Sequence, residues 1–328
     1  MLIDAYDVAL LDLDGVVYRG RKPVENAAES LAKARAQGMR LAYVTNNASR
    51  SPGAVADLLT SLGVPAAAED VVTSAQAAAR LLAERLPAGA KVLVVGGTAL
   101  RHALYAQGLT PVSTSAARPE AVVQGFSPHL DYGLISEGAQ AVRNGALFVA
   151  SNGDFTVPVP AGPPKPGNGS LAQVIRYATG VDPIITGKPE TPLHRESILR
   201  TGAERPLIVG DRLDTDIEGA YNGGADSLLV FTGVTDPLTA LTAPPHHRPT
   251  YLAPDLTGLL TDHPPVEEQA GAYTCGAWTA AWDGPAIRIT GEGDPWRGLY
   301  ALAAAAWHTD TPAPRGAVEP ALDVLGLG

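Results

Sequence analysis

The sequence lacks most features of a secreted or membrane protein. Cys275 is the single cysteine among 328 residues, so no intrachain disulfide can form and an oxidising compartment gains no support. No apolar run reaches the roughly 18 residues that span a bilayer. The first fourteen residues carry acids and no basic stretch, which argues against a signal peptide. We therefore expect a cytoplasmic protein without a membrane segment.

Positive charge is scarce as well. Lysine and arginine number 24, of which five are lysines, against 34 acidic residues, and the formal net charge is −10. This balance argues against nucleic acid or an anionic membrane as a partner. A small anionic substrate is compatible with it, because a bound metal ion can reverse the field inside one site.

What the sequence does have is a regular alternation of apolar β-rich runs and segments of helical periodicity. The predicted strands are residues 7–14, 39–46, 90–97, 120–125, 146–151, 183–187, 205–211 and 226–233. The predicted helices are residues 24–37, 54–62, 74–86, 98–107, 131–143, 170–179, 192–201 and 215–222. This alternation predicts parallel sheets covered by helices, with too many elements for one small sheet and hence an inserted or appended α/β unit.

The end of the chain has a different character. A hairpin over residues 272–291, with its turn at Asp283-Gly284, and a helix over residues 295–308 predict a small α+β module. All four tryptophans lie in this part of the sequence.

Two carboxylates interrupt the first apolar run, LLDLDGVV. Asp12 and Asp14 lie where a buried parallel strand should be aliphatic, and an ionised carboxylate there is costly unless it is paired or binds a metal. Residues two apart in a strand point to one face, so this pair could supply a nucleophile and a general acid/base. The alternative is a strand end with two solvated aspartates.

A second polar group follows the strand that ends near Thr45. Its hydroxyl and the backbone N–H groups of Asn46 and Asn47 lie at a strand-to-helix turn, which suits a phosphate. The alternative is that Ser49 or Ser51 merely caps the following helix.

Two later strand ends add a cation and more acids. Lys188 precedes Pro189 and could neutralise a phosphoryl oxygen, unless it is an ordinary surface lysine. Asp211 and Asp216 follow the run LIVG and suit a Mg²⁺ site, with Asp216 in an outer or water-bridged position. Asp214 could be only a helix N-cap.

These four strand ends, in this order, resemble the motifs of the haloacid dehalogenase superfamily of phosphohydrolases. Asp12-Leu13-Asp14-Gly15 matches the first motif, Thr45 the second, Lys188 the third, and Asp211 with Asp216 the fourth. A signalling receiver domain uses similar residues, but in another order and without a large insertion. A dehalogenase would not need the second acid, and a phosphomutase remains an alternative because it shares the same residues.

The long gap between the second and third motifs resembles the branch with a large α/β cap, the p-nitrophenyl phosphatase and phosphoglycolate phosphatase group. The runs VTNNASRS, ASNGDFTVP and GDRLDTDIEGA look like that group, and the likeness covers about residues 7–260. It implies a doubly wound, Rossmann-like core of residues 1–78 and 184–262 and a cap of residues 79–183. Residues 263–328 form the remaining module, which loosely resembles a fragment of an acetyltransferase-type fold without a convincing cofactor signature.

The resemblance also implies roles for individual residues. Asp12 would be the nucleophile and Asp14 the acid/base. Mg²⁺ would be held by Asp12, the Asp14 carbonyl and Asp211, with Asp216 nearby. The phosphate would be surrounded by Thr45, Asn46, Asn47 and Lys188.

The cap offers candidates for substrate selection. Asn152, Asp154 and Asn168 could contact substrate hydroxyls, although Asn, Asp and Gly are also ordinary turn residues. Ser127 stands where many relatives carry Asp after the Gly-Phe of a cap strand. The resemblance therefore predicts the type of reaction more firmly than the substrate specificity.

The predicted function is therefore Mg²⁺-dependent hydrolysis of a small phosphorylated metabolite through an aspartyl-phosphate. The resemblance, which extends over the tail, favours glycerol 3-phosphate. Phosphoglycolate, a nucleotide or a sugar phosphate is the alternative substrate. A homodimer is allowed for, whereas nucleic acid and membrane are not expected as partners.

Overall fold

The computed structural model describes residues 1–157 and 162–328. Its chain divides into two compact units, Met1–Leu41 with Ala203–Gly328 and Ala42–Gly202. Residues 158–161, which belong to the predicted cap, lie outside the described part. Within that part every helix is too short or too polar to cross a lipid bilayer.

The elements alternate for most of the chain, as the periodicity predicts. The strands are β1 Val8–Leu11, β2 Tyr18–Arg19, β3 Lys22–Pro23, β4 Arg40–Thr45, β5 Val71–Thr73, β6 Lys91–Val95, β7 Thr110–Val112, β8 Ala121–Gln124, β9 Leu147–Ala150, β10 Thr156–Val157, β11 Lys165–Pro166, β12 Ile184–Ile185, β13 Pro206–Gly210, β14 Asp226–Val230, β15 Tyr251–Ala253, β16 Glu267–Gln269, β17 Ala272–Cys275, β18 Trp278–Asp283 and β19 Ala286–Thr290. The α-helices are α1 Leu2–Ala5, α2 Ala27–Ala36, α3 Pro52–Ser61, α4 Ser74–Arg85, α5 Thr98–Ala106, α6 Tyr132–Arg143, α7 Asn168–Thr179, α8 Thr191–Thr201, α9 Glu218–Gly223, α10 Pro237–Leu241, α11 Pro295–Ala306 and α12 Arg315–Leu325.

The first unit contains parallel strands in the order β15, β14, β13, β1. All four residues of β1 are buried and aliphatic, as a parallel strand covered on both faces requires. Because β1 and β13 are parallel neighbours, their carboxyl ends meet at one edge, which is where such sheets bind ligands. A single π-helical turn, Leu213–Ile217, links β13 to α9.

The tail of the chain builds a second sheet in the same unit. Antiparallel strands run in the order β16, β17, β18, β19, and α11 and α12 pack against them. The predicted hairpin is present, with Asp283 paired to Ala286, so the turn is Gly284-Pro285, one residue later than predicted. Gly284 has φ +63°, a left-handed conformation that glycine adopts without strain.

The tail shares its hydrophobic core with the strands of the first unit. Leu299 and Leu302 of α11 belong to one buried cluster with Leu229 of β14 and Leu252 of β15. The apolar faces of the tail and of these strands are therefore buried in the same cluster.

The second unit holds the parallel pair β4 and β5 and a five-stranded parallel sheet in the order β12, β9, β8, β6, β7. Helices α4 and α5 cover one face of the larger sheet, and α6 and α7 cover the other. This sheet is the predicted inserted α/β unit, and the parallel sheets with covering helices confirm the predicted α/β class.

The exact domain limits stay a prediction. The first predicted limit, between residues 78 and 79, falls inside helix α4. The second, between residues 183 and 184, assigns β12 to the core, although β12 pairs with β9 of the five-stranded sheet.

Candidate active site

Three carboxylates converge in the first unit. Asp12, Asp211 and Asp216 each bring a carboxylate oxygen within 4.8 Å of the others. Asp211 and Asp216 are buried, and Asp12 is half-buried. The sheet explains the meeting, because Asp12 directly follows β1 and Asp211 directly follows β13, and the Asp12 N–H donates to the Val209 carbonyl over 2.9 Å.

Two glycines and two backbone N–H groups lie close to these carboxylates. A Cβ at Gly233 would lie 1.7 Å from Asp211 Oδ2, and one at Gly15 would lie 2.4 Å from the same atom. The Val234 N–H donates to Asp211 Oδ2 over 2.7 Å, and the Arg212 N–H donates to Asp216 Oδ2 over 3.2 Å. Only glycine leaves room for the carboxylate at Gly15 and Gly233.

The second acid of the first motif has a different environment. Asp14 is exposed, and its Oδ1 accepts a hydrogen bond from the Gly20 N–H over 3.3 Å. Strand β1 ends at Leu11, so Asp12 and Asp14 both lie beyond it and the alternation of a strand does not govern them. The carboxylate cluster contains Asp12 but not Asp14.

Asp214 is engaged elsewhere. Its carboxylate accepts from the Arg212 guanidinium over 3.0 and 2.7 Å. Burial alone would raise the pKa of Asp214, but the hydrogen bonds and charge of Arg212 outweigh it and lower the pKa overall. The N-cap alternative for Asp214 is therefore wrong, because its side chain is an ion-pair partner of Arg212 and the N-caps of the two helical segments here are Arg212 and Ile217.

The acid cluster fits a magnesium ion. Carboxylate oxygens are the ligands this small, hard cation prefers, and it needs only one or two of them besides water and substrate oxygens. A set of three acids, two of them buried, is also costly without a cation to balance it.

A second polar network lies in the other unit and is centred on Asn46. Asn46 Oδ1 accepts from the Lys188 N–H over 2.8 Å, and Asn46 Nδ2 donates to the Lys188 carbonyl over 3.1 Å. The same amide donates to both carboxylate oxygens of Asp154 over 3.3 Å. Lys188 is 4% exposed, and its ammonium donates to the Val44 carbonyl over 3.4 Å. Lys188 is therefore a buried, positioned cation and not an ordinary surface lysine.

Several polar side chains of the turn after β4 make local hydrogen bonds. The Asn47 N–H donates to Thr45 Oγ1 over 3.1 Å, and Asn47 Oδ1 accepts from both the N–H and the hydroxyl of Ser49. Ser51 is the N-cap of α3, because its Oγ accepts from the Ala54 N–H. The capping alternative is therefore correct for Ser51.

The cap candidates join the same network. Asn152 Nδ2 donates to the Asn46 carbonyl over 2.7 Å, Asn152 Oδ1 accepts from the Asp154 N–H over 3.2 Å, and Asn168 Nδ2 donates to the Asn152 carbonyl over 2.8 Å. Asn152 and Asn168 thus hold backbone segments together. Sequence reasoning missed Ser74, whose hydroxyl donates to the Asn46 carbonyl over 2.6 Å, because a serine at a helix start is ordinarily explained by capping.

Parallel α/β sheets, an acid cluster that fits Mg²⁺ and a buried lysine define a phosphohydrolase. A family model for haloacid dehalogenase-like hydrolases matches residues 9–110, and a second model described as HAD-hydrolase-like matches residues 185–259. A model for a GCN5-related N-acetyltransferase-like domain matches residues 275–327, in line with the loose resemblance of the tail.

Characterised relatives agree with these models. The chain is 46% identical over 291 residues to a D-glycerol 3-phosphate phosphatase of Mycobacterium tuberculosis, covering 88% of this chain and 80% of that protein. A crystal structure of a glycerol phosphate phosphatase from M. tuberculosis in complex with magnesium matches with a TM-score of 0.89 and 42% identity, over 100% of this chain and 99% of that one. A p-nitrophenyl phosphatase structure from Archaeoglobus fulgidus matches with a TM-score of 0.70 and 28% identity, over 76% of this chain and 97% of that one.

The chain therefore belongs to the haloacid dehalogenase-like hydrolases, and it is a phosphatase of that family. The resemblance seen in the sequence motifs is confirmed, including the branch that contains p-nitrophenyl phosphatases.

Proposed function

We propose that the protein is a Mg²⁺-dependent phosphomonoesterase that hydrolyses glycerol 3-phosphate to glycerol and inorganic phosphate. The cluster of Asp12, Asp211 and Asp216 is the observation that carries the proposal. Support also comes from the relative that acts on D-glycerol 3-phosphate, with which 46% of the aligned residues are shared.

In the proposed reaction Asp12 attacks phosphorus. A bond forms between its carboxylate oxygen and phosphorus while the bond from phosphorus to the glycerol oxygen breaks. Water then attacks phosphorus, the bond to Asp12 breaks, and inorganic phosphate leaves. Asp14 protonates the departing glycerol oxygen and later takes the proton from the attacking water. Its exposed position outside the carboxylate cluster supports a role in proton transfer.

The carboxylates of Asp12, Asp211 and Asp216, with the Asp14 carbonyl, would hold the Mg²⁺ ion. When bound, the ion supplies positive charge against the phosphoryl oxygens. Asp12 then serves both as nucleophile and as ligand, which fixes its carboxylate toward the phosphate.

The resemblance places Thr45, Asn46, Asn47 and Lys188 around the phosphate. The Lys188 ammonium provides a buried charge for a phosphoryl oxygen, where low dielectric strengthens its effect. The side chain of Asn46 is already hydrogen-bonded to the Lys188 backbone and to Asp154. We therefore assign Asn46 to positioning Lys188 and leave direct contact with the phosphate to Thr45 and Lys188.

The carboxylate of Asp154 supports a substrate with a neutral, hydroxyl-bearing leaving group. A carboxylate near the site accepts hydrogen bonds from hydroxyls and repels a second negative charge on the leaving group. Glycerol 3-phosphate carries hydroxyls there, whereas phosphoglycolate carries a carboxylate. The proposed partner is thus a small phosphorylated metabolite, and the homodimer stays a prediction.

Steady-state phosphate release tests this assignment. We expect kcat/KM at saturating Mg²⁺ to be higher for glycerol 3-phosphate than for phosphoglycolate or a nucleoside monophosphate. Asp154→Asn should narrow the gap between glycerol 3-phosphate and phosphoglycolate. Asp57→Asn is the matched control, because it removes the same charge from an exposed position of the same unit. Faster turnover of phosphoglycolate than of glycerol 3-phosphate by the unmodified protein would refute the substrate assignment and leave the phosphatase chemistry standing.

A further inference from the structure

Two aromatic rings connect the tail of the chain to the loop after β14. The ring centroids of Phe231 and Trp296 lie 5.6 Å apart with an interplanar angle of 30°. Phe231 directly follows β14, and Trp296 is the second residue of α11. Contacts of this kind add stability beyond the area they bury.

The loop that begins at Phe231 also holds Asp211. The Val234 N–H donates to Asp211 Oδ2 over 2.7 Å, and the Thr235 N–H donates to the Asp211 carbonyl over 3.2 Å. Gly233, which immediately precedes these two residues, approaches so closely that any Cβ would collide with the Asp211 carboxylate. Residues 231–235 therefore set where that carboxylate lies.

The same loop fixes the backbone after the first motif. The Thr232 hydroxyl donates to the Gly15 carbonyl over 2.6 Å. Gly15 in turn lies against the Asp211 carboxylate. A shift of the loop would therefore displace residues at both strand ends that carry the acid cluster.

The hydrophobic core of the tail reaches the remaining acid as well. Leu213 and Ile217 flank Asp216 on the π-helical turn, and both belong to the buried cluster that contains Trp278 and Leu299. Tail residues therefore share a buried cluster with the turn that carries Asp216. They also contact Phe231, at the start of the loop that holds Asp211.

We infer that residues 263–328 hold the acid cluster in the geometry that binds Mg²⁺, and that Trp296 is a positioning residue acting on Asp211 through Phe231. Mg²⁺ demands near-ideal octahedral geometry, so a small displacement of one ligand lowers its affinity. This inference rests on the metal site of the proposed function, and it gives the tail a role without any catalytic group of its own.

Substitution of Trp296 gives a measurable expectation. Loss of an aromatic pair of this kind corresponds to a change of about threefold to tenfold in an equilibrium constant. Trp296→Ala should therefore raise the Kd for Mg²⁺ by about that factor. Trp296→Phe keeps an aromatic ring against Phe231 and should restore most of the affinity.

Trp282→Ala is the matched control. Trp282 is another half-buried tryptophan of the tail, its indole N–H donates to the Ala305 carbonyl over 2.8 Å, and its ring contacts His308. These partners all lie within the tail, so its loss tests general destabilisation of the tail without the link through Phe231. We expect little change in Mg²⁺ affinity for this variant.

The experiment is isothermal titration of Mg²⁺ into the metal-free, full-length protein in the absence of substrate. The inference holds if Trp296→Ala weakens Mg²⁺ binding at least threefold while Trp282→Ala does not. Equal Mg²⁺ affinity in wild type and Trp296→Ala overturns it, as does equal weakening by both substitutions. Should Trp296→Ala fail to fold, Phe231→Leu decides by the same criterion, because it keeps an apolar side chain at the position and removes the ring pair.

Phosphate release separates this inference from the proposed function. A wild-type protein that binds Mg²⁺ but does not hydrolyse glycerol 3-phosphate refutes the proposed substrate and leaves the role of Trp296 standing. A wild-type protein that binds no Mg²⁺ overturns both. In active variants, the Mg²⁺ concentration for half-maximal rate should rise with Trp296→Ala, while KM for glycerol 3-phosphate at saturating Mg²⁺ should stay constant.

Discussion

Replacing Asp216 by asparagine should stabilise the metal-free protein and reduce the further stabilisation that magnesium provides. Asp216 is 1% exposed, and its carboxylate oxygen lies within 4.8 Å of those of Asp12 and Asp211. Two unit charges at that distance repel by about 1 kcal/mol at the dielectric constant of water and by about 3 kcal/mol at an effective value near 20. Neutralising Asp216 removes this repulsion from two neighbours at once.

The substitution also weakens one hydrogen bond of Asp216. Asp216 Oδ2 accepts from the Arg212 N–H over 3.2 Å, and the amide oxygen of asparagine makes a weaker bond, at a cost of about 1 kcal/mol. We therefore expect a net gain of about 1–6 kcal/mol without metal, the lower end applying at the dielectric constant of water and the upper end at an effective value near 20. At about 2–4 °C per kcal/mol, the melting temperature in EDTA should rise by several degrees.

Magnesium should act in the opposite direction and stabilise wild type more than the variant. A ligand at a hundred times its Kd adds about 2.7 kcal/mol to the stability of the protein that binds it. Wild type should gain this amount, whereas Asp216→Asn should gain much less because one acid of the cluster is missing. Thermal melts in EDTA and in excess Mg²⁺ measure both effects, with Asp323→Asn as a control that removes a charge from an exposed position of α12. A variant that melts below wild type in EDTA yet gains as much from Mg²⁺ would refute the placement of Asp216 in the metal site.

Three further predictions follow from individual contacts. Asp12→Asn should lower kcat by at least three orders of magnitude in a folded protein, because the nucleophile is lost, and retention of a tenth of the rate in a phosphate-release assay would contradict the mechanism. Gly233→Ala should raise the Kd for Mg²⁺ more than tenfold, since its Cβ would lie 1.7 Å from Asp211 Oδ2, whereas Gly223→Ala, with nothing within 4 Å, should not change it. Burial lowers the pKa of His263, so its stabilising contribution is present above about pH 6.5 and is lost as the pH falls through the lowered value. His263→Gln should flatten the dependence of the urea midpoint on pH between about 5 and 7, and an unchanged slope would count against this account.

The ends of the central strands were predictable because acids and glycine follow aliphatic runs abruptly. Strands β4 and β13 end at Thr45 and Gly210, within one residue of the predicted ends. The first strand was predicted to run to Asp14 but ends at Leu11. The N–H groups of Val16 and Val17 donate to the Leu13 carbonyl and Gly15 has φ +93°, so the chain turns immediately after Asp12, and Asp14 lies within that turn.

The polar network around Asn46 was not predictable in detail. Its bonds to Lys188 join residues 142 positions apart, and no local pattern encodes that pairing. Hydrophobic periodicity predicted that Asn46 and Lys188 lie at strand ends, but it did not predict the contact between them. Short strands such as β5 and β7, three residues each, fall below the length at which alternation is visible.

Helix α12 was missed for a different reason. Pro320 lies inside it, and a proline in a helix interior removes one backbone hydrogen bond and ordinarily breaks the helix. Here Val318, Ala321 and Leu322 are buried in the core of the tail, and this burial offsets the missing bond. The tertiary contact thus outweighs a strong local signal, which single-sequence reasoning cannot anticipate.

The shared core also determines how the role of the tail has to be tested. Leu229, Leu241 and Leu252 are no more than 2% exposed and belong to the cluster that contains the tail helices. Exposing such side chains costs about 1.5–3 kcal/mol each, so deletion of residues 263–328 would change folding and metal geometry together. A point change at Trp296 alters one contact to the loop that holds Asp211 and leaves the rest of the core in place, and it therefore separates positioning from stability where a truncation cannot.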